Sequence, residues 1–408
     1  MVAAAGVLSR VKVFNALRHP QYRRYWLGMV ASVLGVQVMT VAQGWLVYDL
    51  SGSTLYLGYV GLATSLPAIL LNLFGGVIAD KIDRRKLLMV TQSTAAALMG
   101  ILATLTLTGL VQVWHVIAIA AVTGAVTAFD TPARQAIFPR LISREDLPNA
   151  VALNSMVWQG SRIIGPSLAG VIIAQLGSEA GFYLAAVGSA TMAMMVFSLT
   201  VPHASRAGRS TMAQDLFQGV GFVARNSIFR FLIGMTFFNS IFGMSYVFML
   251  PVFAKDILGV GSTGLGFLHA MSGVGALLGT LVLTSLTGVQ RKGWLLIGGA
   301  VLFGTFLVLF SRSTLYPLSL ALVFLAGVAG SMYMISVMTT LQMLVPDELR
   351  GRVMGIYSMT YSMMPLGSMQ SGGIASVTSA PFAVALGGLA VIAFALLTAL
   401  TNSQVRRL

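Results

Sequence analysis

The sequence predicts an all-α polytopic membrane protein with twelve transmembrane helices arranged as two pseudo-symmetric six-helix bundles. Three observations predict this class: a strongly apolar composition, apolar runs of membrane-spanning length along the whole chain, and an internal repeat. Of the 408 residues, 57% are hydrophobic and 9% are charged, whereas about 25% of residues are charged in soluble domains. Cysteine is absent, which excludes disulfides, thiolate nucleophiles and cysteine-ligated metal sites.

Twelve apolar runs follow one another along the chain, each close to the 20 residues that an α-helix needs to cross a hydrocarbon core of about 30 Å. Polar or turn-forming residues separate neighbouring runs, so each run is predicted to be one helix. In chain order, we expect these helices over residues 26–48, 55–79, 87–108, 112–130, 150–176, 180–201, 228–252, 263–287, 293–311, 315–341, 352–377 and 380–402.

The basic residues predict the orientation of these helices. If both termini are cytoplasmic, 22 of the 25 lysines and arginines fall in cytoplasmic segments, as the positive-inside rule requires. Only Lys255 and Arg312 then lie outside, and Arg162 lies within a helix. The formal net charge of +14 is therefore explained by topology, and its scatter over many short loops argues against a nucleic-acid-binding surface.

An internal repeat relates the two halves of the chain. Residues 142–172 match the segment from 342 onwards at an offset of 202 positions, and shorter matches earlier in each half occur at offsets of 206 to 209. The match pairs Leu147 with Leu349, Val151 with Val353, Gly165 with Gly367, and Gly170 with Gly372. We therefore expect an N-terminal six-helix bundle over residues 1–201, a cytoplasmic linker over 202–226 and a C-terminal six-helix bundle over 227–408.

The segment GGVIADKIDRRKLLMV, residues 75–90, resembles the signature that major facilitator transporters carry between their second and third helices. Asp83 stands where the signature has its second glycine. GPSLAG in the fifth span is similar to the glycine-proline motif of exporters in this superfamily, and LVYDLSGST and FDTPARQAIFPR resemble the branch of enterobactin exporters and macrolide efflux proteins, the drug:proton antiporter-3 branch. The matching positions are Gly76, Ile78, Asp80, Lys81, Arg84, Arg85, Leu88, Gly165, Pro166 and Gly170.

The charges of the 75–90 segment have two interpretations. They anchor two helices at the membrane interface, or they form a cytoplasmic latch between the bundles, which we favour because an acid stands within a basic cluster. Asp80 is able to accept hydrogen bonds from a helix N-terminus, and the resemblance places it against the eleventh helix when the protein is open to the outside. Arg84 is within reach of Asp130, which also has Arg134 one helical turn further on. The latch is expected to contain Gly76, Asp80, Arg84, Arg85, Asp130 and Arg134.

Polar and aromatic side chains recur at helical spacing on the first, fifth, seventh and eleventh spans. Isolated amides and hydroxyls also hold membrane helices together, but four stripes on corresponding helices favour a substrate cavity. We expect Arg162 to attract an anionic or electron-rich substrate group, the alternative being a structural ion pair with Asp130. The expected cavity residues are Gln37, Asn154, Trp158, Arg162, Asn239, Tyr246, Tyr357, Tyr361 and Met364.

The resemblance implies a secondary exporter of an amphipathic small molecule, a siderophore or a drug, that works by alternating access in the bacterial cytoplasmic membrane and exchanges its substrate for protons. The alternative is a lysophospholipid or other lipid transporter of the same fold. We expect a monomer. The sequence contains no phosphate-binding loop, no metal-ligand spacing and no catalytic constellation, so we expect neither a cofactor, nor a metal, nor enzymatic activity. No acid lies in the middle of a predicted span, which leaves Asp49 as the best candidate for a proton site.

Overall fold

In the computed structural model, which describes residues 12–81, 83–200, 220–285 and 292–406, the chain forms twelve long helical segments. Within these ranges no β-strand occurs. The helices are α1 (Pro20–Ser51), α2 (Thr54–Lys81), α3 (Arg84–Leu107), α4 (Val113–Ile137), α5 (Leu147–Leu176), α6 (Ser178–Phe197), α7 (Ser227–Ile257), α8 (Gly261–Ser285), α9 (Lys292–Arg312), α10 (Tyr316–Leu344), α11 (Arg350–Ser362 and Met364–Val377) and α12 (Ala380–Thr401).

The membrane-spanning character of the helices follows from their length and composition. In the described ranges ten helices are long and apolar enough to cross a membrane. The remaining two are α5, which carries Arg162 and several side-chain amides, and α11, which is broken in two. The predicted all-α polytopic class is therefore confirmed, and the two less apolar helices are two of the four for which the sequence predicted polar stripes.

The helices group into an N-half, α1–α6, and a C-half, α7–α12. In the N-half α1 packs against α5 and α6, and α2 packs against α4, whereas in the C-half α10 contacts α8 and α9, and α12 contacts α9 and α11. Because the helices alternate in direction, α1 begins and α12 ends at one face, which we call the termini face. The other is the opposite face. Residues 202–219, most of the predicted linker, lie outside the described part of the chain.

Two helices, α7 and α11, depart from regular α geometry. α7 contains two π-helical turns, Asn239–Gly243 and Phe253–Ile257, and such turns are frequent at functional sites. α11 is interrupted at Met363, between its two halves. Pro365 explains the break, since it has no N–H to donate and disfavours helical geometry in the residue before it.

Several helices extend beyond their predicted ends. The fourth was expected to stop at residue 130 but continues to Ile137, and the seventh continues from residue 252 through its second π-helical turn. In α4 the reason is that Asp130 and Arg134 neutralise each other within the helix, so the charges do not mark its end. Asp130 thus lies two helical turns before the end of α4 instead of at its last residue.

Candidate functional site

A central cavity of about 510 Å³ lies between the two halves. It is lined from the N-half by α1 and α5 and from the C-half by α7 to α11, so side chains from both repeats face one space. Its volume falls in the 300–1,000 Å³ range of small-molecule sites. Of the residues predicted to form a substrate cavity, this cavity contains Gln37, Arg162, Tyr246, Tyr361 and Met364.

Arg162 is the principal charged group of the central cavity. Its side chain is exposed to the cavity, and within the described residues it makes no hydrogen bond or ion pair. The backbone behind it is fixed because α8 passes close by: a Cβ added to Gly273 would lie 3.1 Å from the carbonyl oxygen of Arg162. The alternative interpretation, an ion pair between Arg162 and Asp130, is not what the structure shows.

A second cavity, of about 560 Å³, lies among α1 to α6, and we call it the N-half cavity. Asn154 and Trp158 line it, rather than the central cavity that holds Arg162, although all three residues share α5. Thr40 lines both cavities, so the two spaces meet at α1. Tyr25, Phe138 and Val151 bring the N-half cavity to the ends of their helices at the termini face.

A buried polar network forms one wall of the N-half cavity. Arg134 Nε donates to Asp130 Oδ2 at 2.5 Å, and Thr91 Oγ1 and Gln92 Nε2 donate to Asp130 Oδ1 at 2.9 and 2.7 Å. Arg134 also donates to Ser32 Oγ at 2.8 Å. The network ties together α1, α3 and α4, so in this conformation Asp130 and Arg134 connect helices within one half instead of bridging the halves.

The structure differs from the sequence expectation at Asn239 and Tyr357, which line neither cavity. Asn239 is buried in the first π-helical turn of α7 and donates its amide to Met334 Sδ at 3.3 Å. Tyr357 is buried behind Tyr361 and donates its hydroxyl to the Tyr361 hydroxyl oxygen at 3.4 Å. Both residues therefore contact side chains that line the central cavity. Asn239 packs against Met334, and Tyr357 orients Tyr361.

Glycines of the predicted exporter motif form a close helix contact between the halves near the opposite face. A Cβ on Gly170 would lie 2.6 Å from the Ser262 carbonyl oxygen and 3.0 Å from the Gly266 Cα. A Cβ on Gly266 would lie 2.5 Å from the Pro166 carbonyl oxygen. Since these neighbours are backbone atoms, only glycine allows α5 and α8 to approach this closely. Gly165 instead packs against Gln37, within the N-half.

The repeat places an equivalent contact between α2 and the outer half of α11. A Cβ on Gly372, the repeat counterpart of Gly170, would lie 2.5 Å from the Thr54 carbonyl oxygen and 3.2 Å from the Gly58 Cα. Thr54 Oγ1 also donates to the Gly372 carbonyl oxygen at 3.1 Å. Two symmetric glycine contacts therefore close the molecule at the opposite face.

Polar groups on α1 and α7 complete this closure, and we call them the polar lock. Lys255 Nζ donates to Asp49 Oδ1 at 2.5 Å, the Tyr48 hydroxyl donates to Asp256, and the Lys255 ammonium lies 5.9 Å from the ring centres of Trp45 and Tyr48. Sequence reasoning named Asp49 but missed its partners. The repeat gives no signal for them, since the nearest match, GST at residues 52–54 and 261–263, has an offset of 209 and pairs Asp49 with Leu258.

The loop between α2 and α3 is only partly described. Asp83 caps α3, accepting from the backbone N–H of Arg85 at 2.9 Å and of Lys86 at 3.4 Å, which gives the departure from the signature a structural role. Arg85 donates to the backbone carbonyls of Val196 and Phe197 on α6. The side chain of the expected latch residue Asp80 and the surroundings of Gly76 lie outside the part of the chain that the structure describes.

The termini face also joins α1 to α5. His19 Nε2 lies 3.0 Å from Asp146 Oδ2, and the Tyr22 hydroxyl donates to Asn154 Oδ1 at 3.0 Å. The hydrogen bond with His19, aided by that from Asn149, lowers the pKa of the Asp146 carboxyl. Within the described ranges no three His, Asp or Glu side chains come together as metal ligands.

Comparison with known proteins gives a family and several relatives. The model of the transmembrane secretion effector family matches residues 11–407. The staphyloferrin A transporter of Staphylococcus aureus is 28% identical over 82% of this chain and 85% of its own. The enterobactin exporter EntS of Escherichia coli is 23% identical over 95% and 93%. The multidrug efflux pump Tap of Mycolicibacterium fortuitum is 25% identical over 84% and 86%.

Solved structures share the fold at low sequence identity. A bacterial homologue of the lysosomal transporter Spinster, in an inward-facing and occupied conformation, superposes with a TM-score of 0.73 at 14% identity, covering 95% of this chain and 98% of that one. A bacterial homologue of the iron transporter ferroportin, in an inward-facing state, gives 0.70 at 17% identity over 92% and 98%. The arrangement of twelve helices is therefore that of major facilitator transporters.

Proposed function

The chain belongs to the transmembrane secretion effector family of major facilitator transporters, and on this premise we propose that it exports an amphipathic small organic molecule, a siderophore or a drug, by alternating access. The observation that carries the proposal is the central cavity, which is lined by both halves and closed at the opposite face by two glycine contacts and the polar lock. A site between two halves that rock about it is the general design of such transporters.

Orientation follows from the basic residues. The termini face, where the basic loops are concentrated, is the cytoplasmic side of a bacterial inner membrane. The structure is then closed to the outside, and the N-half cavity extends to the cytoplasmic ends of α1, α4 and α5. This is the state in which an exporter receives its substrate from the cell. The cavity is formed by the two halves of one chain, which supports transport by a monomer.

The substrate class is supported by the relatives and by the cavity walls. The relatives are named for two siderophores and for multiple drugs. The central cavity combines Arg162 with apolar side chains, among them Met244, Met334 and Met364, and flexible thioethers adapt to apolar groups of different shape. A molecule with a polar head and an apolar body fits such a surface better than a small hydrophilic solute.

Proton coupling is proposed at Asp49. Its side chain is half exposed at the opposite face, with 53% of its surface accessible, and it pairs with Lys255 across the halves. Protonation of Asp49 removes the ion pair and so favours opening to the outside. An outside that is more acidic than the cytoplasm then promotes the step that releases substrate.

The latch at the termini face is proposed to act in the alternate state. In the structure Arg85 holds α3 to α6, and Asp130 with Arg134 holds α3 and α4 to α1. These bonds keep the N-half rigid as it moves. Asp80 of α2 then meets α11 when the termini face closes, as the family signature implies.

A transport assay with a reversible block tests the proposal. Because the chain has no cysteine, Asp49→Cys with Lys255→Cys places a single thiol pair across the polar lock. Oriented vesicles are loaded with a panel of fluorescent siderophores and drugs, with and without a proton gradient. We expect the parent to export at least one compound. The double variant, which lacks the proposed proton site, should carry that compound down its own gradient, with arrest on oxidation and recovery on reduction.

The single variant Asp49→Cys serves as the control, since oxidation cannot crosslink it to the same protein. Arrest that appears only in the double variant supports alternating access through the opposite face. Transport that continues with the halves crosslinked there contradicts it.

A further inference from the structure

Arg162 gives the central cavity a positive charge, and no acidic side chain among the described lining residues balances it. The titratable side chains that line the described central cavity are Arg162, Tyr246, His269 and Tyr361, and no carboxylate is among them. The acid on the neighbouring α4, Asp130, is bound by Arg134 and two further donors in the N-half cavity. The central cavity therefore carries a positive charge without a protein counter-ion.

An unpaired arginine inside a membrane is costly, so its retention calls for a function. The guanidinium is planar and presents its N–H groups in a fork that matches a carboxylate bidentately. A bound carboxylate would supply the missing negative charge at the point where the structure provides none. The charge balance alone thus selects anions over cations and neutral molecules.

The hydroxyl group of Tyr361 is also able to donate a hydrogen bond to a bound carboxylate. Tyr357 donates to the Tyr361 oxygen at 3.4 Å, so the hydrogen of Tyr361 is left to be donated elsewhere, and Tyr361 lines the cavity together with Arg162. Gln37 adds an amide from α1, on the same side as α5. Arg162, Tyr361 and the amide nitrogen of Gln37 therefore each have a hydrogen to donate, which is what an oxyanion requires.

Much of the remaining wall is apolar, although Ser272, Thr280 and Ser331 add hydroxyl groups to it. Leu250, Phe303, Ala326 and Met334 line the C-half side of the cavity, opposite the α5 helix that carries Arg162. A ligand that satisfies both sides has one carboxylate and an apolar body. A ligand with a cationic head would meet Arg162 as a like charge, which is a repulsive contact.

We propose that Arg162 and Tyr361 bind the carboxylate of an amphipathic monoanion in the central cavity, an assignment that rests on the proposed export function and names the class of molecule exported. The two residues come from opposite halves, α5 and α11. Their joint contact with one carboxylate makes the bound anion a bridge between halves that separate at this level during transport.

Binding of a matched pair of probes tests the assignment. Dansylglycine carries a carboxylate, and dansylglycinamide has the same apolar body without the charge. With the purified protein in nanodiscs, dansyl fluorescence should report binding of dansylglycine at least about tenfold tighter than of the amide, as expected for a hydrogen-bonded charge pair. Arg162→Ala should lower the affinity for dansylglycine to that for the amide and leave the amide unchanged.

Two further variants keep the test decisive. Arg162→Lys retains the charge without the fork, and we expect an intermediate affinity for dansylglycine. Tyr361→Phe should weaken dansylglycine selectively. Arg312→Ala, which removes an exposed charge at the opposite face, is the matched control and should change neither affinity. A lower melting temperature of Arg162→Ala is acceptable as long as amide binding persists.

The outcomes distinguish an error in the carboxylate-binding site from an error in the proposed export function. If both probes bind equally well, or if Arg162→Ala binds dansylglycine like the parent, the carboxylate site is wrong even where the protein transports the amide. If the probes bind as expected but neither crosses the bilayer of proteoliposomes, the site stands as a binding site and the export function is wrong. If neither probe binds, the assignment is overturned for amphiphiles of this size.

Discussion

Weakening the polar lock between α1 and α7 should shift the protein toward opening at the opposite face. The double variant Tyr48→Phe with Lys255→Ala removes the hydrogen bond to Asp256, the ion pair with Asp49 and the cation–π contacts with Trp45 and Tyr48. Both substitutions leave the glycine contacts intact. The closed state loses interactions that the open state does not contain, because they join residues of different halves.

The magnitude follows from the exposure of each group. Lys255 and Asp49 retain 36% and 53% of their surface accessible, so their ion pair contributes about 0.5 kcal/mol after solvent screening, and the cation–π contacts contribute about 0.5 kcal/mol. The Tyr48 hydrogen bond joins a buried phenol to an exposed carboxylate and is worth about 1 kcal/mol. The sum of about 2 kcal/mol changes the ratio of open to closed states by roughly 30-fold.

Distances between spin labels measure this ratio. Thr108 follows α3 in the N-half and Ser376 lies near the end of α11 in the C-half, and both are exposed at the opposite face. Labels on Thr108→Cys and Ser376→Cys need no removal of native cysteines. In the double variant Tyr48→Phe with Lys255→Ala we expect a second, longer distance, and its population relative to the shorter one should rise roughly 30-fold over the parent.

Arg312→Ala is the matched control. Arg312 lies at the same face, at the end of α9, and is exposed, so its loss changes the surface charge as Lys255→Ala does without touching the lock. An equal shift in Arg312→Ala would mean that surface charge, not the lock, sets the equilibrium. An unchanged distance distribution in the double variant would refute the reasoning outright, since the lock would then contribute nothing to closure.

Three further predictions concern topology, packing and the buried ion pair. A cysteine at Thr108 should react with an impermeant thiol reagent in intact cells, whereas one at Ser143, exposed between α4 and α5 at the termini face, should react only after lysis; the reverse pattern contradicts the orientation. Gly266→Ala places a Cβ against backbone of α5 and should open the opposite face in the spin-label assay, while Gly298→Ala, with open space around it, should not. Asp130→Asn leaves a buried arginine without its counter-ion and should lower stability by about 3 kcal/mol, seen as a reduced melting temperature; an unchanged value would show the network to be dispensable.

The fold could be predicted from the sequence because membrane helices depend on length and hydrophobicity, which are local properties. Even α5 and α11, which fall outside the ten most apolar helices, were predicted from their apolar runs. The π-helical turns of α7 and the break at Met363 were not, because they depend on how one helix meets its neighbours. The extension of α4 was missed for a related reason, since Asp130 and Arg134 were taken for interfacial charges.

The cavity residues show the limit of helical spacing. The spacing of Asn154, Trp158 and Arg162 shows that they share one side of α5. It does not show how far each side chain lies from the membrane surface or which helix it faces. The structure divides that stripe between two cavities. Asn239 and Tyr357 have the spacing of cavity residues yet are covered by their neighbours. Burial is a property of the assembled bundle, so the sequence alone could not distinguish residues that line the cavity from residues covered by those that do.

Closure at the opposite face combines a symmetric contact with an asymmetric one. Gly170 and Gly372 occupy equivalent repeat positions and make the same backbone approach to α8 and α2, so duplication of one half supplied both contacts. Glycine contacts lack charge and do not respond to pH or to a ligand. The polar lock does not share this symmetry, since Asp49 and Tyr48 of α1 meet Lys255 and Asp256 of α7 through unlike side chains. Closure therefore combines two repeat-related backbone contacts with one set of charged contacts between α1 and α7, so substitution of these charges weakens the closure while both glycine contacts remain.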